Sequence, residues 1–427
     1  MKKGFRKIGA VLLTFAMALA MNSTVLAVTT DATKNSYEGI ESTDNTIGIA
    51  KSIVFVNEED IVVREPNIVY TYTISSATPG TATITGKDTT DTYDITLPVK
   101  AGPMSAVTGA TTAATSTVTF ADTATSSASS TGISSTAKYA NFTFTPATFG
   151  APGIYRYKIS ESTDVTKASV GITEVATYSA DRFLDVYVRW NSARTALEIY
   201  GYVLFEGAES DSIAYSNVTM KSEGYVNTST SGQADVDVYT TQNLEISKVT
   251  TGALADKDND FPVTITLTKA SGLSDSIKLD YSTTNNGSLT RVGNDTVGDY
   301  VNMDAVLSGT VRDSSTIKIT GIPTGSSVEM TETNNTSDYY RVKAGITDGG
   351  EDLLAEATVN NAATSSATAS LTIDAKKEIH FTNTLSEISP TGFVVRFAPY
   401  ALVLLGGILL IAIGLLVYNK TNKKETA

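Results

Sequence analysis

Cysteine is absent from the 427 residues, and histidine occurs once, at His380. The first absence excludes disulfides, thiolate nucleophiles and zinc-thiolate sites. The second leaves too little for a Ser-His-Asp triad or a multi-His metal centre. Positive charge is also in short supply: 32 Lys and Arg against 45 Asp and Glu give −13. That is the wrong sign for a nucleic-acid-binding surface. The sequence carries no phosphate-cradling loop and no metal motif, so neither a cofactor nor a metal is expected. Its scattered carboxylates form no recognisable glycosidase pair, and an enzyme with turnover is not expected. What is present is 41% hydrophobic, much of it Val, Ile, Ala and Tyr amid abundant Thr and Ser. This is the composition of strands and turns, in a chain long enough for two or three domains with real cores.

The two ends differ from the middle. Residues 1–27 predict a secretory signal peptide: Lys2, Lys3, Arg6 and Lys7 precede an apolar run from Ile8 to Met21, and Val25-Leu26-Ala27 offers a cleavage site. At the other end, Phe397 to Tyr418 is uncharged and, at 22 residues by subtraction, long enough to span a bilayer. Lys420, Lys423 and Lys424 follow, placing the tail 419–427 on the cytoplasmic side. Just ahead stands Ile388-Ser389-Pro390-Thr391-Gly392. This order of Pro-Thr-Gly, apolar run and basic tail (387–427) resembles the cell-wall sorting signal of Gram-positive bacteria. The resemblance implies that a sortase cuts between Thr391 and Gly392 and joins the Thr carbonyl to an amine. Removing both ends leaves 24 basic against 44 acidic residues in 28–391, a charge of −20. Such a chain stays soluble outside the cell, yet has no disulfide to secure it.

Between the ends, short alternating runs dominate: Ile68 to Ile74, Tyr155 to Ile159, Phe183 to Val188 and Val263 to Leu267. Turn residues cluster between them, which predicts β-sandwiches. Residues 104–140, rich in Ala, Ser and Thr with little bulk, read as a long exposed loop or poorly ordered insertion. Two segments lie side by side. Ile47-Gly-Ile-Ala-Lys51 matches Leu244-Glu-Ile-Ser-Lys248, and each is followed later by an apolar strand ending in Glu, at Glu161 and Glu332. A leader 28–45, a first domain 46–242 and a second domain 243–386 are therefore expected.

Residues i, i+2 and i+4 of a strand share a face. Lys51 then extends the stripe of Ile47 and Ile49, and Lys248 that of Leu244 and Ile246. Glu161 extends that of Tyr155, Tyr157 and Ile159, Glu332 that of Val328 and Met330, and Asn383 that of Ile379 and Phe381. Unpaired charges on such stripes are expensive. Desolvation lowers an amine's pKa and raises a carboxylic acid's, so a buried Lys beside a buried Glu can exist as neutral amine and neutral acid. The amine is then a nucleophile, and the acid can hydrogen-bond an Asn carbonyl and shuttle protons. Attack on Asn releases ammonia; attack on Asp releases water.

Over residues 46–392 the chain resembles the sortase-assembled major (backbone) pilins of streptococci. The resemblance is carried by Leu244-Glu-Ile-Ser-Lys-Val-Thr-Thr-Gly252, Pro152-Gly-Ile-Tyr-Arg-Tyr-Lys-Ile-Ser-Glu161, Val186-Tyr-Val-Arg-Trp-Asn191 and Ile379-His-Phe-Thr-Asn383, followed by the Pro-Thr-Gly signal. It implies an all-β protein of two tandem immunoglobulin-like (Cna B-type) β-sandwich domains. Each is locked by a self-formed isopeptide bond between its first and last strands, promoted by a Glu of a middle strand. Carried over, Lys248 bonds Asn383 with Glu332 assisting. In the first domain Lys51 and Glu161 match, and the acceptor position falls on Asp237, with Asn227 as the fallback. The amine that receives Thr391 of a neighbouring subunit is assigned to Lys221, the one Lys between Lys167 and Lys248. Further expected partners are the sortase, other copies of the chain in a fibre, peptidoglycan, tip or base pilins and a host surface ligand; nucleic acid is not expected. The expected location is the cell surface, wall-anchored, with the C-terminal run holding the chain in the membrane before the cut. The alternative is a monomeric wall-anchored adhesin that uses the same domains as a stalk.

Overall fold

The computed structural model describes residues 40–43, 45–87, 92–176, 181–206, 222, 224–226, 235–285, 287–291, 300–333, 340–348, 351–352, 357–359, 366–385 and 403–416. The protein is mostly β. Two hydrophobic clusters form its cores, one running from Ile47 to Tyr239 and the other from Leu244 to Phe381. They are called here the first and second lobes.

In the first lobe, a sheet with the order Leu197–Glu206, Asp181–Trp190, Gly153–Thr163, Ile68–Ser76, Ala113–Phe120 forms one layer. Its strand Ile68–Ser76 alternates buried and half-buried residues, so Ile68, Tyr70, Tyr72 and Ile74 all face the core, as the period-2 pattern requires. Against this layer lie Thr46–Lys51 and Ile53–Val56, the latter parallel to the start of the 17-residue strand Asp235–Thr251. In the second lobe, Val306–Val311, Phe261–Thr268, Ser327–Thr333 and Ser366–Thr372 form one sheet. The facing sheet contains Lys278–Thr284, Thr316–Pro323, the far half of Asp235–Thr251, Lys377–Thr384 and Arg341–Asp348. The long strand thus belongs to both lobes. Val236 and Val238 pack with Val54 on one side of it, while Leu244 and Ile246 enter the second core.

Segment 104–140 corrects the sequence expectation of a loop or poorly ordered insertion. It contains Ala113–Phe120, Thr125–Ala128, Ile133–Ser134 and the start of Lys138–Thr143. Ala113–Phe120 pairs along its length with Ile68–Ser76, and Lys138–Thr143 pairs with Thr46–Lys51, so that Lys138 stands opposite Lys51. A backbone ladder does not need bulky side chains. Thr is a good strand former, and Ala106, Ala128 and Ala140 are buried where larger residues would not be needed to close the core. Low bulk had hidden a real strand set.

Polar contacts tie the lobes together. Glu59 accepts from Lys318 (2.6 Å), Asn243 (2.8 Å) and Lys376. Arg64 pairs with Asp280 at 2.7 Å, and Lys278 with Asp122 at 3.0 Å. Burial alone would raise the Glu59 carboxyl, but the hydrogen bonds from Lys318, Lys376 and Asn243 outweigh it and hold the pKa at about 2.

Of the apolar run 397–418, the described residues 403–416 are helical. Among the described residues no helix is long and apolar enough to cross a membrane. The signal peptide 1–27, the motif 388–392, Lys221 and Asn227 lie outside the described residues.

Candidate functional site

The second lobe brings together the three residues read from its stripes. Lys248 and Asn383 sit on neighbouring parallel strands, in which Lys248 is opposite Phe381 and Thr250 opposite Asn383. Parallel neighbours cannot be joined by a tight turn, so these two side chains meet only because the whole lobe intervenes. Glu332 comes from the facing sheet, where it is opposite Val263 and Ala367. Lys248 Nζ donates to Glu332 Oε2 at 2.6 Å, and Asn383 Nδ2 donates to Glu332 Oε1 at 2.6 Å. Neither Lys248 nor Glu332 exposes its side chain. One carboxyl group therefore spans both partners in a dry core.

Burial shifts the amine towards its neutral form. Burial pushes the Lys248 pKa down to about 8, against the opposing pull of Glu332. The Phe261 ring lies 3.9 Å from Nζ and adds apolar cover. Asn383 Oδ1 is buried and has no hydrogen bond. A half-turn of the carboxamide presents that oxygen to Glu332, and only a protonated Glu332 can donate to it.

The end of the Lys248 strand is fixed by Gly252. Its φ is +106°, and a Cβ there would lie 2.1 Å from the carbonyl oxygen of Leu385. Only glycine permits this approach, which brings the chain leaving Asn383 against the chain leaving Lys248.

The first lobe also gathers Lys51, Glu161 and Asp237. Lys51 ends the strand Thr46–Lys51, and the strand after it, Ile53–Val56, runs parallel to Asp235–Thr251 with Ile53 opposite Asp237. Glu161 comes from the facing sheet, opposite Tyr72. Lys51 Nζ lies 2.6 Å from Asp237 Oδ2 and 3.3 Å from Glu161 Oε2. Four neighbours were not read from the sequence. The Tyr70 hydroxyl donates to Asp237 Oδ2 at 2.7 Å, and the Tyr72 hydroxyl to Glu161 Oε2 at 2.6 Å. Lys167 bridges Glu161 Oε1 (3.1 Å) and Asp237 Oδ1 (3.0 Å), and is held in turn by Glu174 at 2.8 Å. Burial would raise the Asp237 carboxyl, but the charges of Lys51 and Lys167 and the hydrogen bonds from Lys51 and Tyr70 hold it below the ordinary value. Burial works to lower Lys167, and Glu161 and Asp237 raise it instead.

Fold and sites together define a class: a mostly β protein whose lobes each bury a lysine, a glutamate and an amide or carboxyl acceptor in contact. Comparison with known proteins narrows it. A family model for a domain of unknown function (DUF7601) matches residues 242–385. The chain is 26% identical over 283 residues to a pilin of Streptococcus pyogenes serotype M1, covering 64% of this chain and 71% of the relative. The similarity to streptococcal pilins expected from the motifs is thus found over most of the chain. Among solved structures, the major pilin of Streptococcus pyogenes aligns with a TM-score of 0.39 at 19% identity, covering 81% of this chain and all of that one. The T-13 major pilin of the same species aligns with a TM-score of 0.35 at 21% identity, covering 82% and 99%.

Proposed function

We propose that the chain is a structural subunit of a covalently polymerised Gram-positive surface pilus, stiffened by two self-formed isopeptide bonds. The observation that carries this reading is the buried contact of Lys248 and Asn383 with the two oxygens of one carboxyl group, each at 2.6 Å. The 26% identity to a streptococcal pilin supports it, and the match of one family model to 242–385 supports 243–386 as one unit.

In the second lobe, Lys248 passes a proton to Glu332 and its freed lone pair attacks the Asn383 carboxamide carbon. The C–N bond to the old amide nitrogen breaks. Of the two protons that Nζ gives up, one completes ammonia and the other leaves with it as ammonium, returning Glu332 to carboxylate. Proximity and desolvation supply the drive. In the first lobe, Lys51 condenses with Asp237 with loss of water, Glu161 assisting. These ties close loops of 186 residues and of 84 plus a further 51. By the chain-entropy account of cross-links each is worth about 4–5 kcal/mol, and reduction cannot undo them.

A sortase cuts between Thr391 and Gly392 and transfers Thr391 to Lys221 of the next subunit, or finally to peptidoglycan. The run 397–418 holds the chain in the membrane until then. Fibre assembly thus uses the ends and Lys221, while the lobes supply strength.

Intact-mass spectrometry of recombinant 28–391 tests the chemistry: the mass should fall short of the sequence mass by one ammonia plus one water. Full sequence mass would remove both bonds. Covalent ladders in denaturing gels of wall extracts are expected for the polymer, and a single band would leave a monomeric wall-anchored protein.

A further inference from the structure

We propose that Lys167 is a third catalytic group of the first cross-link site, relaying protons from Glu161 to the Asp237 oxygen that leaves as water. The inference rests on the reading of Lys51 and Asp237 as a bond-forming pair and adds the route by which the oxygen is expelled.

The two lobes differ in how their glutamate reaches the acceptor. Glu332 touches both reacting side chains directly. Glu161 approaches Lys51 through Oε2, but its Oε1 is turned to Lys167. Besides the attacking Lys51, a second amine spans Glu161 and Asp237: Lys167, which lies 3.0 Å from Asp237 Oδ1. The other acceptor oxygen, Oδ2, is held by the Tyr70 hydroxyl and Lys51. One oxygen is therefore fixed to become the amide carbonyl, and the other faces a proton donor. Lys167 is also the more open amine. Its side chain is 17% exposed against 2% for Lys51, which gives the released water a way out on that side.

The chemistry requires such a donor. Expelling NH2 from an amide takes one proton, whereas expelling a carboxylate oxygen as water takes two. Lys51 begins as ammonium with three protons, and the amide keeps one. The other two pass from Nζ to Glu161, from Glu161 to Lys167, and from Lys167 to Oδ1. The Lys51 lone pair forms the new C–N bond at Cγ, the Cγ–Oδ1 bond breaks, and Oδ1 departs as water with both protons. Lys167 ends as ammonium and Glu161 as carboxylate, as they began, so no outside acid or base is consumed. Glu174, which faces Asp237 across the strand pair, keeps the Lys167 amine charged and aimed. When Asp237 gains a proton, its pull on Lys167 disappears while the effect of burial stays, so the donor becomes more acidic as the reaction proceeds.

Lys167→Arg provides the sharpest test. Arginine keeps the charge and can hold both carboxylates, but its guanidinium does not release protons. The water loss of 28–391 is followed by intact mass on freshly synthesised chain, with the ammonia loss of the second lobe as the internal reference. Lys167→Arg and Lys167→Gln should both slow the water loss, on the order of a hundredfold, the usual scale for a general acid, with the ammonia loss unchanged. Their residual rates should rise as the buffer is made acidic, because the protons then come from solvent, while the wild-type rate stays level through neutrality. Near-ultraviolet circular dichroism of Lys167→Arg reports whether the tyrosine-rich first core has formed. Water loss by Lys167→Arg at the wild-type rate, or slowed equally at every pH, would overturn the relay. Wild-type chain that loses ammonia but no water would instead sink the first bond itself, and the relay with it.

Discussion

Each lobe buries a lysine and a glutamate beside an acceptor side chain, and the two surround them with opposite electrostatics. Among the described residues, Lys248 pairs with one carboxyl group, Glu332, beside one aromatic ring and without exposure, with Asp313 acting only through its charge. Burial wins there, and the amine is drawn down to about pH 8. Around Lys51 there are Glu161, Asp237, Lys167 and, one step out, Glu174. Charges there stabilise charges: Asp237 is held ionised and Lys167 protonated. The comparison teaches that a buried lysine is drawn towards its neutral form through poverty of partners as much as through burial. On the proposed chemistry, a site rich in counter-charges has to move protons within itself to reach the same kind of bond.

Three substitutions press on this contrast. Glu332→Ala should have the largest effect. It abolishes the ammonia loss and leaves Lys248 buried without its carboxylate, an uncompensated charge worth about 3–5 kcal/mol, besides the lost loop constraint of about 4–5 kcal/mol. Intact mass and thermal melting read both effects, and an unchanged mass deficit would clear Glu332 of its role. Asp237→Ala should cost less. It removes the water loss, yet Lys51 keeps Glu161 at 3.3 Å and lies 4.2 Å from the centroid of the Tyr70 ring. A melting temperature lower than that of Glu332→Ala would reverse the ranking of the two lobes. Glu59→Gln should have the smallest effect and a distinctive pH signature. The folded pKa of about 2 lies below the ordinary value of 4.5, so the Glu59 contribution is complete above about pH 4.5. It is lost as pH falls towards 2. The gap in melting temperature between wild type and Glu59→Gln, a few tenths of a kcal/mol for a partly exposed pair, should therefore close across that interval. A gap that persists in strong acid would mean that the lobes are held by other contacts.

Much of both sites was legible because a strand has a period of two. Lys248, Glu332 and Asn383 each extend an apolar stripe, and the stripes face one core. Asp237 came from spacing and from the resemblance, since its own strand is buried on both sides and shows no clean alternation. Lys167 was not legible: it begins a 3-10 turn, Lys167–Val170, with no periodicity to assign it a face. Tyr70 and Tyr72 were legible as core residues but not as donors, although two inward-facing phenols always need partners for their hydroxyls. That need was the available signal. The strands of 104–140 are not legible, because their Ala, Ser and Thr residues lack the bulk that usually marks a strand. The ladder to Ile68–Ser76 depends on backbone groups that every residue carries.

The strand Asp235–Thr251 carries both Asp237 and Lys248. With the amides formed and Lys221 joined to the next subunit, the shortest covalent route through a subunit enters at 221, follows the chain through this strand to 248, crosses to 383 and leaves at 391. Tension applied along a fibre travels this short line and leaves the bulk of each lobe slack. The residues off this line, 52–220 and 249–382, are then spared any tensile duty. Their surfaces can vary in evolution without weakening the cable.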